Sequence, residues 1–261
     1  MHANNGVAIF VIDGLRPDGL AQADTPTMDG LIAAGAYTPA CRTVMPSVTL
    51  PCHASMFLSI PPERHGVVTN TWAPRARELP GLFDVVHQAG GRTASFYNWE
   101  ELRDLSRPGS LDASFYLGNC YDPEGDTQLA ALAASWLKDH PVDLAFVYLG
   151  FTDTAGHAQG WMSDAYLRAV GVADRCIGRI LDALGSGMTA VVTSDHGGHG
   201  RAHGADCDED MLVPLILNGP AVPPGTTIEP PVSIIDVAPT VAEMLGVEMP
   251  AAWKGRSICV E

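Results

Sequence analysis

The sequence predicts an α/β fold, a mostly parallel central sheet with helices on both faces. Three observations predict it. Short apolar runs alternate along the chain with longer stretches of helical spacing, the pattern of strands covered by helices. The runs are almost continuously apolar, as in Val7–Ile12 and Leu144–Leu149, which is how strands buried on both faces read. The chain has 261 residues, 46% of them hydrophobic, with 27 Gly and 20 Pro. That is ample for one domain with a sizeable core and many sharp loops.

The strand signals cover Val7–Ile12, Thr93–Tyr97, Leu144–Leu149, Thr189–Thr193 and Leu212–Leu217. The helix signals cover Pro26–Ala34, Pro51–Leu58, Leu82–Ala89, Asp126–Asp139, Asp164–Leu184 and Asp236–Leu245. In Asp164–Leu184 the residues Leu167, Val170, Ala173, Ile177 and Leu181 recur at three- and four-residue steps, the apolar stripe of a helix packed on a sheet. The stretch 99–126 has weak periodicity and several aromatics (Trp99, Phe115, Tyr116, Tyr121). It reads first as a partly packed connector within a single domain. The alternative is a small cap that stacks on a substrate.

Chemistry-bearing residues sit where three of the strands end. Asp13 follows Val7–Ile12, with Gly14 permitting a sharp turn. Alone, such an Asp is ordinarily a turn or cap carboxylate. Asp153-Thr-Ala-Gly-His157 follows Leu144–Leu149, and its Asp and His converge if the chain turns at Gly156. Asp195, His196, His199 and His203 crowd into nine positions after Thr189–Thr193. In open parallel sheets ligands bind at the carboxyl edge. Imidazole and carboxylate suit zinc or a similar divalent ion. Three carboxylates and three histidines exceed one tetrahedral ion and suit a pair, the clamp of phosphoryl transfer.

A nucleophile comes from Met45-Pro-Ser-Val-Thr-Leu-Pro-Cys-His53. Thr49 reads as the cap of a helix that contains Pro51, so its hydroxyl lies among free N–H groups that attract an anion. Ser47, before the cap, and Cys52, inside the helix, rank lower. Asp206, Asp208, Glu209 and Asp210 read as a solvated acidic loop.

These segments resemble the alkaline phosphatase superfamily, and most closely its type I phosphodiesterase/nucleotide pyrophosphatase branch. Val11-Ile-Asp-Gly-Leu-Arg16 is similar to the opening strand. Pro46-Ser-Val-Thr-Leu-Pro-Cys-His53 is similar to the nucleophile motif, with Cys52 where the family has Asn. Pro62–Asn70 resembles the segment whose Asn binds a phosphoryl oxygen. Asp153–Gly160, Ser194–Gly197 and Arg201–Gly204 resemble the remaining metal motifs. The resemblance implies one ion held by Asp153, His157 and His203, and another by Asp13, Asp195, His196 and the Thr49 oxygen. It implies two divalent ions, zinc before manganese. It also implies that Asn70 and the Leu50 N–H hold a non-bridging oxygen, and that catalysis passes through a phospho-threonine. His199 is left to orient a ligand or to stand in for His203. Sulfatases are set apart because no Cys-x-Pro-Ser-Arg-like motif occurs. Cofactor-independent phosphoglycerate mutases are set apart by their serine nucleophile and long inserted domain.

The expected substrate is a small-molecule phosphate ester, a phosphodiester or pyrophosphate. Phosphomonoester or phosphonate (phosphonoacetate-type) hydrolysis is the alternative, and metal binding without turnover the non-enzyme one. The uncharged Asn70 suits a diester monoanion, while Arg16, Arg64 and Arg201 are the cations a monoester would call on. The net charge of −15 argues against nucleic acid or anionic membrane as a bulk partner. No apolar run is long enough to span a membrane. Six scattered cysteines and a polar start fit a reduced cytoplasmic setting. The sequence carries no signal for oligomeric state.

Overall fold

The computed structural model describes residues 6–220, 222 and 226–258. Nine strands form one sheet: β1 (Val7–Ile12), β2 (Ala36–Arg42), β3 (Thr93–Tyr97), β4 (Ala113–Tyr116), β5 (Leu144–Leu149), β6 (Thr189–Thr193), β7 (Leu212–Asn218), β8 (Thr226–Thr227) and β9 (Val232–Ser233). Their order is β4-β3-β5-β1-β6-β7-β2-β8, with β9 also on β2. From β4 to β6 all pairings are parallel, while β7 runs antiparallel to both neighbours.

The helices are α1 (Pro17–Gln22), α2 (Pro26–Ala34), α3 (Thr49–Leu58), α4 (Pro62–His65), α5 (Leu82–Gln88), α6 (Gly125–Asp139), α7 (Phe151–Gln159), α8 (Asp164–Leu184), α9 (Asp208–Met211) and α10 (Val237–Met244). They lie on both faces of the sheet. Val7, Ile9 and Val11 point into one core with residues of α3, α5 and α10. Ala8, Phe10 and Ile12 point into a second core with residues of α6 and α8. A strand whose alternate side chains enter two cores has no polar face, hence the continuous apolar runs.

The register sets the site. Ile12 lies beside Leu149, and Val11 beside Thr193, so three adjacent parallel strands end level at one carboxyl edge.

Several expectations change. Asp153 and His157 sit within helix α7, not a turn; residues i and i+4 share a helix face, so convergence is retained. The residue before α3 is Val48, in extended conformation, and Thr49 is the first helical residue; Pro51 is compatible with that earlier start because the first turn needs no donor there. The stretch 99–126 contains β4, whose Phe115 stacks on Phe96 at 5.0 Å. β2 was not legible because Pro39 and alternating exposure break its apolar pattern.

Candidate metal centre

Two clusters assemble at the carboxyl edge. The first is Asp13, Asp195 and His196, all buried. His196 Nε2 lies 3.3 Å from Asp13 Oδ1, 3.4 Å from Asp195 Oδ2 and 3.3 Å from Thr49 Oγ1. The second is Asp153, His157 and His203. Asp153 Oδ2 is 3.4 Å from His157 Nε2, and Asp153 Oδ1 is 3.8 Å from His203 Nε2. The rings of His196 and His203 stack at 3.8 Å, joining the clusters into one centre.

Each imidazole is oriented through its other nitrogen. Nδ1 of His157, His196 and His203 faces the carbonyl of Arg201, Gly197 and Ser47 at 2.8–2.9 Å. A carbonyl can only accept, so Nδ1 carries the hydrogen and Nε2 keeps its lone pair, the tautomer a metal ligand needs. Burial first, then the neighbouring His196, lowers the His203 pKa to about 4, so it is neutral near pH 7.

The carboxylates are unsatisfied in the complementary way. Asp13 Oδ1, Asp153 Oδ1 and Asp195 Oδ2 are buried without a hydrogen-bond partner. Burial, then the charges of Asp195 and Asp153, pushes the Asp13 carboxyl well above its usual range. Burial likewise raises Asp153. It opposes ionisation of Asp195 too, but the His196 and His53 imidazoles and the Gly14 N–H more than offset it and bring that group down. Crowded buried carboxylates with orphaned oxygens are costly unless cations neutralise them. The donor set therefore fits divalent ions.

Supporting residues include some the sequence did not flag. Tyr148 donates its hydroxyl to Asp13 Oδ2 in a short hydrogen bond. His53, fully buried, places Nδ1 3.5 Å from Asp195 Oδ2 and 2.8 Å from the Thr49 carbonyl. Trp161 donates to the Gly14 carbonyl at 2.9 Å and packs edge-on against His157 at 5.1 Å. A Cβ at Gly198 would come within 2.2 Å of the Trp161 ring; only glycine lets the loop lie on the indole.

Leu50 N–H donates to Asn70 Oδ1 at 3.0 Å, so it anchors the amide and does not stand free beside it. With Oδ1 taken, Nδ2 is the group of Asn70 left to donate. Arg16 pairs with Asp18 at 2.6 Å and donates to the Gly198 carbonyl. Arg64 and Arg201 are exposed. His199 pairs with Asp210 at 2.7 Å, leaving His203 beside Asp153. Asp210 is fully buried and is thus no part of a solvated loop, whereas Asp206 and Asp208 are exposed and face Arg42. The signal for Asp210 lay in its place next to Met211 and β7.

Residues 7–91 match the family model for type I phosphodiesterase/nucleotide pyrophosphatase. Residues 118–249, half of the chain, match the metalloenzyme superfamily. The chain belongs to the alkaline phosphatase superfamily of metalloenzymes. Among curated relatives, the 2,3-bisphosphoglycerate-independent phosphoglycerate mutase of Pseudomonas entomophila (strain L48) is 36% identical over 134 residues, 48% of this chain and 25% of the mutase. The mouse ectonucleotide pyrophosphatase/phosphodiesterase family member 1 is 26% identical over 212 residues, 72% of this chain and 23% of that protein. The matches thus span about a quarter of those relatives. Mutases, set apart on their nucleophile and inserted domain, are sequence relatives over half of this chain. Among solved structures, murine ectonucleotide pyrophosphatase/phosphodiesterase 5, as an inactive variant with AMP, superposes with a TM-score of 0.79 at 16% identity, covering 94% of this chain and 96% of that one. A 2-O GAG sulfatase gives 0.75 at 15% identity, covering 97% and 73%. Both share the fold. No helix among the described residues is long and apolar enough to cross a membrane.

Proposed function

We propose that this chain hydrolyses phosphodiester or pyrophosphate bonds of small molecules, with Thr49 as nucleophile. The observation that carries the reading is the Thr49 hydroxyl, 3.3 Å from His196 Nε2 at the start of α3, beside the orphaned carboxylate oxygens. A metal store without turnover has no use for a hydroxyl there.

Asp153, His157 and His203 would hold one divalent ion; Asp13, Asp195, His196 and Thr49 Oγ1 the other. Zinc is the first choice and manganese the second. Such ions lower the pKa of a hydroxyl or water and offset charge on attacking and leaving oxygens. Thr49 Oγ1 attacks phosphorus in line, losing its proton to water, and the bond to the leaving oxygen breaks. The Thr49 N–H, at the start of α3, and Asn70 Nδ2 meet the charge on the non-bridging oxygens. Water then displaces Thr49 from phosphorus, and the threonine oxygen regains a proton. Asn70 is uncharged and Arg16 is engaged with Asp18 and Gly198, so the site offers little to the second charge of a monoester. That favours diesters.

The test compares kcat/KM for bis-p-nitrophenyl phosphate and p-nitrophenyl phosphate at equal metal loading. A ratio above one is expected, and one well below one reassigns the chain as a phosphomonoesterase. The likeness to mutases favours a second reading, return of the phosphoryl group to a substrate hydroxyl. Product analysis in 18O-enriched water separates it from hydrolysis, since only transfer to water places a solvent oxygen on the released phosphorus.

A further inference from the structure

Among the described residues, one group of metal-type side chains lies outside this centre. His199, Cys207 and Asp210 bring a donor atom each within 4.8 Å of one another. His199 Nδ1 is 2.7 Å from Asp210 Oδ1 and 3.8 Å from Cys207 Sγ. Around a tetrahedral zinc-like ion, with bonds of about 2.3 Å to sulfur and about 2.0 Å to nitrogen or oxygen, ligand atoms lie about 3.5 Å (N to S) and about 3.3 Å (N to O) apart. The nitrogen–sulfur separation is already close to that. The nitrogen–oxygen pair must open by about 0.6 Å.

The opening can fall on one side only. Asp210 is fully buried and anchored: its Oδ2 accepts the Ala205 N–H at 2.8 Å, and its carbonyl accepts the Gly197 N–H at 2.9 Å. The His199 side chain is 49% exposed and can swing. Cys207 is part-exposed, whereas the other described cysteines, Cys41, Cys52, Cys120 and Cys176, are buried. A hydrogen-bonded His–Asp pair accounts for two of these residues; the accessible thiol beside them is what turns the pair into a ligand set.

We infer that His199 Nδ1, Cys207 Sγ and Asp210 Oδ1 form a third ion site, selective for a thiophilic divalent cation such as zinc, cadmium or cobalt(II), with water as fourth ligand. On binding, the thiol releases its proton to solvent and the imidazole hydrogen moves from Nδ1 to Nε2. The ion would tie together both arms of the loop 197–210, which carries His203.

The test loads the paired centre with manganese, which prefers oxygen donors and leaves a thiolate site open, and titrates the full chain with cobalt(II). Only thiolate ligation gives a sulfur-to-cobalt charge-transfer band in the near ultraviolet. The band is expected to saturate at one equivalent, to be lost in Cys207→Ser, and to shift its midpoint at least about tenfold in His199→Ala. In the unmodified chain, cadmium should slow alkylation of Cys207 by iodoacetamide, mapped by mass spectrometry, by at least about tenfold. No band in the parent, a band that survives in Cys207→Ser, a midpoint indifferent to His199, or alkylation indifferent to cadmium overturns the site. None of these readouts depends on turnover, so their failure leaves the proposed hydrolysis untouched.

Discussion

Tyr148→Phe isolates one oriented hydrogen bond. Tyr148 and Asp13 are 2% and 3% exposed, and the phenol donates to Asp13 Oδ2. Phenylalanine keeps the ring and its edge-on contact with His53 at 5.3 Å, so no large cavity opens. Without metal, the Asp13 carboxyl is pushed up by burial and by its acidic neighbours. The lost bond is then nearly neutral and costs about 0.5–1.5 kcal/mol. With metal, Asp13 must be ionised and aimed. Loss of a bond that orients a ligand typically costs 10–100-fold in metal affinity, or about 1.4–2.7 kcal/mol. Bound ligand adds to apparent stability, so this second cost appears only in the metal-loaded protein, for a total of about 2–4 kcal/mol there. Each kcal/mol lowers Tm by about 2–4 °C in a chain of this size. Melts of parent and variant, with and without saturating metal, plus chelator competition, measure both parts. An equal loss of Tm in the two conditions, with unchanged metal affinity, would refute the reasoning.

Thr49→Ala should lower turnover by at least about three orders of magnitude while metal content holds, and Thr49→Ser should keep part of the activity; a fully active alanine variant removes Thr49 as nucleophile. His157→Ala should lose metal and most activity, measured by metal analysis after dialysis. Gly198→Ala drives a Cβ to 2.2 Å from the Trp161 ring and should cost about 1–3 kcal/mol. Pairing it with Trp161→Phe should show coupling in a double-mutant cycle, and strict additivity would mean that the contact is not what matters. Burial lifts the Asp126 pKa to about 6, opposed by hydrogen bonds from Asn98, Phe151 and Gly150. Folding therefore favours its protonated form, and its contribution is full below about pH 4 and lost as pH rises through about 6. Asp126→Asn removes that loss and should gain about 2–3 kcal/mol on the parent between these limits, read by urea unfolding at several pH values; a constant difference across the window counts against the shift.

The strands were legible where burial on both faces left no polar residue, as in β1 and β5. The candidate ligand residues were legible because level parallel strand ends force them together. What escaped is what depends on partners distant in sequence. Tyr148 reads as one more aromatic in an apolar strand until Asp13 is seen beside it. Trp161 gives no hint in the sequence that glycines 14, 156 and 198 close in on it. Asp210 looked solvated because its neighbours are, yet the one residue nearest β7 turns inward. The start of α3 shifted by one position because the extended Val48, an apolar residue with no capping side chain, precedes it. Thr49 changes its place in the helix but keeps its neighbours.

The level strand ends have a topological consequence. Gly14 N–H already reaches Asp195 Oδ1 across 181 residues of sequence, and Arg201 meets His157 across 44. Ions gripped at these points would be reversible cross-links that close very long loops. Restraining loops of that length removes more freedom from an unfolded chain than a short clip does, by a margin that grows with the logarithm of loop length. No disulfide occurs among the described cysteines, so these links would take the part that disulfides play elsewhere. Starved of metal, such a protein would be expected to yield to proteases first at the loop beyond β6, well before its two cores melt.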